Sequence, residues 1–153
     1  NTIVVLWSDH GMHIGEKQQW EKFTLFEEAT RVPLIIIAPG VTKAGTVCDR
    51  PVNLLDVYPT LNELCGLPRR KDLDGVSLVP LLKNPAAKGH VAIAYKGGNK
   101  TIRTDTHRLI MHRDGFAELY DHTTKAGETK NVADDNPGLV KSLGEQLTRR
   151  LAQ

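Results

Sequence analysis

Two unbroken runs of aliphatic residues constrain the fold of this 153-residue chain more than any other feature. Residues 3–7 (IVVLW) and 33–38 (PLIIIA) have the length of strands and are rich in β-branched side chains. Apolar strands without polar alternation are typical of strands that are covered on both faces in a parallel sheet. We therefore predict an α/β fold in which both runs are parallel sheet strands, with a short helix near residues 23–30 between them.

The remainder of the chain changes from helical to antiparallel β character. Asn53 can cap a helix that ends at Gly66, with Pro59 predicting a kink or a break within it. Short β-type runs follow, separated by glycine-containing turns, and an apolar stripe after Asn136 predicts a C-terminal helix. The predicted strands are residues 91–95, 101–104, 107–112 and 116–120. We predict two parts: an α/β part over residues 1–88 and a small antiparallel-sheet subdomain with the terminal helix over residues 89–153.

Composition excludes some classes of protein. The 20 basic and 18 acidic residues give a formal net charge of +2, which is too balanced to indicate a nucleic-acid partner. Since no apolar run approaches the roughly 20 residues that cross a bilayer, we expect no membrane span. Two cysteines in a chain of this length do not indicate a disulfide scaffold.

A polar cluster, residues 8–11 (SDHG), directly follows the first predicted strand. Open α/β sheets bind their ligands at the carboxyl ends of strands. The Asp9 carboxylate suits a hard cation such as Ca²⁺ or Mg²⁺, and His10 adds a neutral nitrogen ligand. Because such ions take about six donors, further ligands have to come from elsewhere.

The continuation of this cluster resembles the type I sulfatases of the alkaline-phosphatase-like superfamily. Residues 9–22 (DHGMHIGEKQQWEK) and 26–34 (FEEATRVPL) are similar to a family segment that runs D-H-G-x-x-L-G-E, W-x-K, aromatic-E and R-V-P-L. The resemblance continues downstream and spans most of the chain. The residues that carry it are 53–61 (NLLDVYPTL), 74–78 (DGVSL), 103–105 (RTD) and 118–121 (ELYD). Histidine beside the metal aspartate and W-x-K after it look most like the iduronate-2-sulfatase branch.

The resemblance implies roles for individual residues. Asp9 and His10 would be two of the protein ligands of a bound Ca²⁺, with Mg²⁺ as the alternative, and Lys22 would contact the sulfate ester. From its position two residues past the turn, His13 could line the mouth of the pocket. Lys96 could overhang it, since the small C-terminal sheet of the family packs near the site. The substrate would be a sulfated sugar, and the family's location is periplasmic, secreted or lysosomal in type. Glu16 is interpreted as structural and Trp20 as a packing residue, whereas Lys17 replaces the family's usual histidine.

The formylglycine nucleophile of the family comes from a C/S-x-P-x-R motif, which this sequence lacks. Residues 65–69 (CGLPR) come nearest, but the proline lies one residue too late. The chain also begins inside a predicted strand, so we expect a fragment that acts with a missing N-terminal half and shows no activity alone. Two alternatives stay open: a phosphodiester or phosphonate hydrolase of the same superfamily, and a non-catalytic sulfatase-like protein that binds a glycan or a metal.

Overall fold

The computed structural model describes residues 1–152, which form two compact units. Unit 1 comprises Asn1–Asp9 and Pro33–His90, and unit 2 comprises His10–Val32 and the chain from Val91 onward. The second junction lies close to the predicted boundary at residues 88–89. The segment His10–Val32, which was predicted to belong with residues 1–88, instead packs with the C-terminal sheet.

The helices and strands of residues 1–152 alternate at first and then give way to consecutive strands. Two 3-10 turns, Glu16–Gln18 and Leu54–Asp56, accompany them. In chain order the elements are β1 (Val4–Trp7), α1 (Glu27–Thr30), β2 (Leu34–Ile37), α2 (Val57–Leu64), α3 (Val79–Lys83), β3 (Ala92–Lys96), β4 (Asn99–Arg103), β5 (His107–Met111), β6 (Ala117–Asp121) and α4 (Pro137–Leu151). This order confirms the α/β class with a following antiparallel sheet and a terminal helix.

Unit 1 contains a two-stranded sheet made of β1 and β2. The strands pair antiparallel, with Val4 opposite Ile37 and Leu6 opposite Ile35, rather than in the predicted parallel arrangement. These four side chains lie on one face and are between 47% and 53% exposed. On the opposite face Val5, Leu34 and Ile36 are partly buried, whereas Trp7 is 53% exposed. The prediction that both faces are covered is therefore wrong within this chain.

The rest of unit 1 is organised around the buried carboxylate of Asp56. Its oxygens accept hydrogen bonds from the backbone N–H groups of Asn53 and Val76, at 2.8 and 2.9 Å, and contact His90 Nε2 at 2.7 Å. The bond to Asn53 closes the start of the predicted helix. The predicted helix divides into the 3-10 turn Leu54–Asp56 and α2, and the division precedes Val57. Pro59 causes no break, because it lies in the first turn of α2, where no intrahelical N–H is needed.

Unit 2 is a meander of four antiparallel strands in the order β3–β4–β5–β6, as predicted from the sequence to within two residues. One face of the sheet packs against α4 through buried leucines and an isoleucine. These are Ile102, Leu109, Leu119, Leu143 and Leu147. The other face is covered by segment 10–32, whose Leu25 packs against Ile110 and Tyr120. No helix among residues 1–152 is long and apolar enough to span a bilayer.

Candidate functional site

The segment that follows Asp9 is shaped by a close approach of two backbone stretches. The Gly11 N–H donates to the Ala29 carbonyl at 2.9 Å. A Cβ at position 11 would lie only 1.9 Å from the Glu28 carbonyl oxygen, so no residue with a side chain fits there without displacing this backbone. Glycine in the D-H-G sequence therefore sets the path of the chain directly after His10.

His10 and Lys22, predicted to share a site, meet within unit 2. The Lys22 ammonium lies 3.0 Å from His10 Nε2, while His10 Nδ1 lies 2.8 Å from the Gly11 carbonyl oxygen. A carbonyl accepts and an ammonium donates, so these contacts assign the proton of a neutral ring to Nδ1 and leave the Nε2 lone pair to accept from Lys22. A backbone carbonyl bound to one ring nitrogen is also the usual support of a metal-ligating histidine.

Asp9 ends unit 1 and is exposed. It is joined to His10 by one peptide bond, so its candidacy as a co-ligand rests on adjacency in the chain. A carboxylate oxygen and an imidazole nitrogen whose other nitrogen is fixed are donors that fit a divalent cation.

His13 occupies a different environment from the predicted pocket mouth. Its side chain is fully buried, with Nε2 2.7 Å from Thr24 Oγ1 and Nδ1 3.3 Å from the Glu16 carbonyl. Its ring meets Phe26 edge to face, with centroids 6.1 Å apart. Both nitrogens hold the loop together, so this geometry does not support contact between His13 and a substrate.

Lys96, at the end of β3, lies beside the same loop. Its ammonium donates to the Phe23 carbonyl and lies 4.9 Å from the centroid of the Phe23 ring. Lys22 Nζ lies 5.4 Å from the same centroid. The two ammonium groups are thus no more than about 10 Å apart, the sum of these distances, and share an aromatic ring that is 61% exposed.

The loop between His10 and Lys22 is held by side chains whose roles differ. Glu16 accepts from the Ile14 N–H at 2.8 Å, and this bond lowers the pKa of its carboxyl, which confirms its predicted structural role. Lys17 donates to the Glu128 carbonyl and lies 4.1 Å from the centroid of Phe26, so its ammonium is engaged within unit 2. The Trp20 ring lies beside Gly15 and is 73% exposed, so the packing role predicted for it stays a prediction.

A buried ion-pair network, which the sequence analysis missed, joins this segment to the sheet. The Arg108 guanidinium on β5 is 3% exposed and donates to the carboxylates of Glu128 and Glu27 and to the Leu25 carbonyl at 3.1 Å. Arg103 adds a second positive charge 3.5 Å from Glu27. The signal in the sequence was an arginine directly before three apolar residues of one predicted strand, residues 107–111 (HRLIM). Such an arginine requires buried partners.

The same carboxylates form a group that could ligate a metal by residue type. Glu27, Glu128 and His122 place ligand atoms within 4.8 Å of one another. The Arg108 guanidinium already contacts both carboxylates. We therefore assign this group to ion pairing.

Electrostatics favour the ionised form of Glu128. Burial alone would raise the pKa of its carboxyl. The hydrogen bond with His122, the charge of Arg108 and the Glu27 N–H at 2.7 Å outweigh burial and lower the pKa below its usual value. Glu128 therefore stays charged and keeps the network intact near neutral pH.

Comparison with known proteins decides the family. Residues 15–153 match the family described as N-sulphoglucosamine sulphohydrolase, C-terminal. The chain belongs to this sulfatase C-terminal family. It is 41% identical over 137 residues to a sulfatase of Formosa agariphila and 34% identical over 160 residues to arylsulfatase K of Danio rerio. These alignments cover 88% and 95% of this chain but only 27% and 30% of the relatives, so the chain spans less than a third of their length.

Solved structures agree with this membership. One is the structure of a protein in complex with its substrate D-glucosamine-2-N,6-O-disulfate. That protein is 27% identical to this chain, and the match has a TM-score of 0.84 and covers 97% of this chain and 34% of that protein. Another is the phosphonate monoester hydrolase of Agrobacterium radiobacter, which is 26% identical with a TM-score of 0.82 over 99% of this chain and 35% of that protein. The fold is therefore that of the C-terminal part of the sulfatases, a family that generally uses a divalent metal.

Proposed function

We propose that this chain is part of a sulfuric ester hydrolase that acts on a sulfated sugar and supplies metal ligands and a sulfate-binding lysine. The observation that carries this proposal is the 3.0 Å contact between Lys22 Nζ and His10 Nε2. This contact puts a positive charge beside a candidate metal ligand. A sulfate ester that is bound to a cation needs positive charge in that position.

The candidate residues divide the work between binding an ion and neutralising charge. Asp9 and His10 would hold a divalent cation, Ca²⁺ in our proposal with Mg²⁺ as the alternative, and the ion would supply positive charge to sulfate oxygens. The Nε2 lone pair serves one partner at a time, so Lys22 can turn its ammonium to a sulfate oxygen when Nε2 ligates the ion. Its three N–H donors would then stabilise charge that accumulates on the sulfuryl oxygens.

The substrate class rests on the relatives. The disulfated glucosamine bound by one similar protein supports a sulfated sugar here. The finer prediction of an iduronate-2-sulfatase-like substrate keeps its support from residues 9–22 alone, since the named relatives are a sulfatase and arylsulfatase K. The positive charge of Lys22 suits any anionic sugar, so the substrate class rests on the relatives alone.

We further propose that an N-terminal half of the same enzyme supplies the formylglycine nucleophile and the remaining metal ligands. The exposed aliphatic face of the β1–β2 sheet supports a partner segment, because four half-exposed branched side chains on one face are typical of an interface within a larger core. On this proposal the 153-residue polypeptide does not turn over substrate by itself.

A phosphonate or phosphodiester hydrolase is the second candidate, since the phosphonate hydrolase of Agrobacterium radiobacter shares this fold. An ammonium beside a metal ligand suits a phosphoryl group as well as a sulfuryl group. The two candidates are distinguished by substrate preference and not by the fold.

The test is a kinetic comparison in the complete polypeptide that carries this chain. An aryl sulfate and an aryl phosphonate with the same leaving group are the two substrates. We expect kcat/KM to be higher for the sulfate, and Lys22→Ala to lower it by about 100-fold or more, as loss of one donor to a developing oxyanion does. Lys141→Ala, on the exposed side of α4, is the matched control and leaves kcat/KM unchanged. A preference for the phosphonate, or full activity of Lys22→Ala, contradicts the proposal.

A further inference from the structure

A cavity of about 400 Å³ opens beside Phe23, entirely within unit 2. Segment 19–26 forms one wall, and the other is formed by the β3–β4 turn and the β5–β6 turn. A volume of this size falls in the range of sites that bind small molecules. The side chains with charge or aromatic character in its lining are Glu21, Phe23, Phe26, Lys96, His112 and Arg113.

Two of these side chains place positive charge near the surface of the cavity, although the Lys96 ammonium also donates to the Phe23 carbonyl. Lys96 and Arg113 are both exposed. His112 contributes less, because its Nε2 lies 2.7 Å from the Glu118 carboxylate and is committed to it. Glu21 is the opposing charge in the lining, so the two basic side chains Lys96 and Arg113 exceed the acidic side chains of the lining by one.

The turns hold the Arg113 side chain at the rim. The Arg113 N–H donates to Asn99 Oδ1 at 3.1 Å, which ties the second turn to the first. The aliphatic stem of Arg113 lies over Gly98, where an added Cβ would meet the arginine Cβ at 3.2 Å. These contacts involve the backbone and the stem of Arg113, which is exposed at the rim of the cavity.

The exposed Phe23 ring connects this cavity to the candidate sulfate site. Lys96 lines the cavity and Lys22 lies beside His10, and both ammonium groups lie near the same ring. An apolar ring flanked by cations suits a sugar, whose C–H face packs on the ring while its anionic substituents contact the ammonium groups.

We propose that this cavity binds a second anionic substituent of the sugar substrate, a carboxylate or a second sulfate, through Arg113 and Lys96. The proposal rests on the proposed sulfatase function for the identity of the ligand. Lys22 takes the sulfate that is cleaved, Phe23 supports the sugar, and the cavity selects substrates that carry another negative charge. Arg113 and Lys96 then determine substrate specificity, and the carboxylate of Glu21 opposes them.

The test measures affinity by calorimetry in the complete polypeptide, with three disaccharide probes. One is monosulfated and otherwise neutral, the second adds a hexuronate carboxylate, and the third adds a second sulfate instead. Arg113→Met is expected to weaken binding of the two dianionic probes about tenfold, which is about 1.4 kcal/mol. It is expected to affect the monosulfated probe less than twofold. The probe that loses more affinity identifies which anion the cavity prefers.

A gain of affinity provides a test that damage to the fold cannot imitate. Glu21→Gln removes the opposing charge and is expected to tighten binding of the dianionic probes severalfold, more at low salt than at high salt. Arg149→Met, an exposed arginine of α4, is the matched control and leaves all three affinities unchanged.

The outcomes separate this inference from the proposed function. Equal losses on all three probes, or no loss with Arg113→Met and no gain with Glu21→Gln, overturn the cavity proposal whatever the catalytic activity. If Arg113→Met weakens binding of the dianionic probes but the complete polypeptide does not hydrolyse sulfate esters, the cavity is an anion site and the sulfatase function is overturned.

Discussion

Replacement of Arg108 by methionine tests whether segment 10–32 is joined to the sheet by the buried ion pairs. The guanidinium is 3% exposed and the Glu128 side chain that it contacts is also 3% exposed. Arg108→Met leaves Glu128 buried without its closest cation, while Glu27 keeps Arg103 at 3.5 Å. Breaking a buried pair by removing one partner costs about 3–5 kcal/mol, because an uncompensated charge stays in a medium of low polarity.

The assay is equilibrium urea unfolding of the complete polypeptide, followed by tryptophan fluorescence and circular dichroism. We expect the free energy of unfolding of the transition that includes unit 2 to fall by about 3–5 kcal/mol. Arg149→Met, with the same change of charge on an exposed helix face, is expected to change it by less than about 0.5 kcal/mol.

A double variant distinguishes loss of the ion pair from loss of packing. Arg108→Met with Glu128→Leu removes both buried charges, and apolar replacement of a buried pair is often close to neutral. We therefore expect the double variant to recover most of the lost stability. The reasoning is refuted if Arg108→Met is as stable as the Arg149→Met control, or if the double variant loses as much as the two single variants combined.

Three further predictions concern the backbone, acid stability and the exposed sheet face. Gly11→Ala, whose Cβ would lie 1.9 Å from the Glu28 carbonyl oxygen, is expected to abolish activity and lower the melting temperature. Gly138→Ala in α4 meets nothing within 4 Å and is expected to stabilise by up to about 1 kcal/mol. The folded-state pKa of the Glu128 carboxyl lies below its ordinary value of 4.5. The carboxylate therefore stabilises the fold above pH 4.5, and this stabilisation is lost as the pH falls through the lower folded-state pKa. Glu128→Gln is expected to flatten this dependence of stability on pH. Ile37→Ser, measured by thermal unfolding, is expected to cost about 1.5–3 kcal/mol in the complete polypeptide if the β1–β2 face is buried there.

Each of these predictions has an outcome that contradicts it. Full activity of Gly11→Ala would show that the chain after His10 can take another path. If Glu128→Gln leaves the slope of stability against pH below 4.5 unchanged, titration of Glu128 does not cause the loss of stability in acid. An effect of Ile37→Ser below about 0.5 kcal/mol in the complete polypeptide would show that this sheet face stays exposed there.

Local patterns predicted the elements of this fold well because local physics forms them. Asp114–Gly115 and Gly97–Gly98 separate the strands where they were predicted, with Gly115 at a φ of 91° that favours glycine. The terminal helix begins at Pro137 after Asn136, where proline at the first helical position needs no N–H partner. These features depend on a few neighbouring residues.

Features that depend on residues far apart in the chain were predicted less well. Unbroken aliphatic runs are shared by parallel strands and by the antiparallel pair found here, so the pattern of β1 and β2 did not fix their direction. The burial of His13 depends on Thr24 and Phe26, and the role of Arg108 depends on residues 20 and 81 positions away. The proximity of His10 and Lys22, 3.0 Å apart, could be predicted because the spacing of a family motif carries tertiary information that periodicity lacks.

The most direct test of the central claim is a crystal structure of the complete polypeptide with Ca²⁺ and a sulfate ester bound. We predict a cation about 2.3–2.6 Å from an Asp9 oxygen and in contact with His10 Nε2. We also predict the Lys22 ammonium at hydrogen-bond distance, about 2.7–2.9 Å, from a sulfate oxygen. A cation held by other residues, with Lys22 still bonded to His10 and the sulfate elsewhere, would contradict this claim.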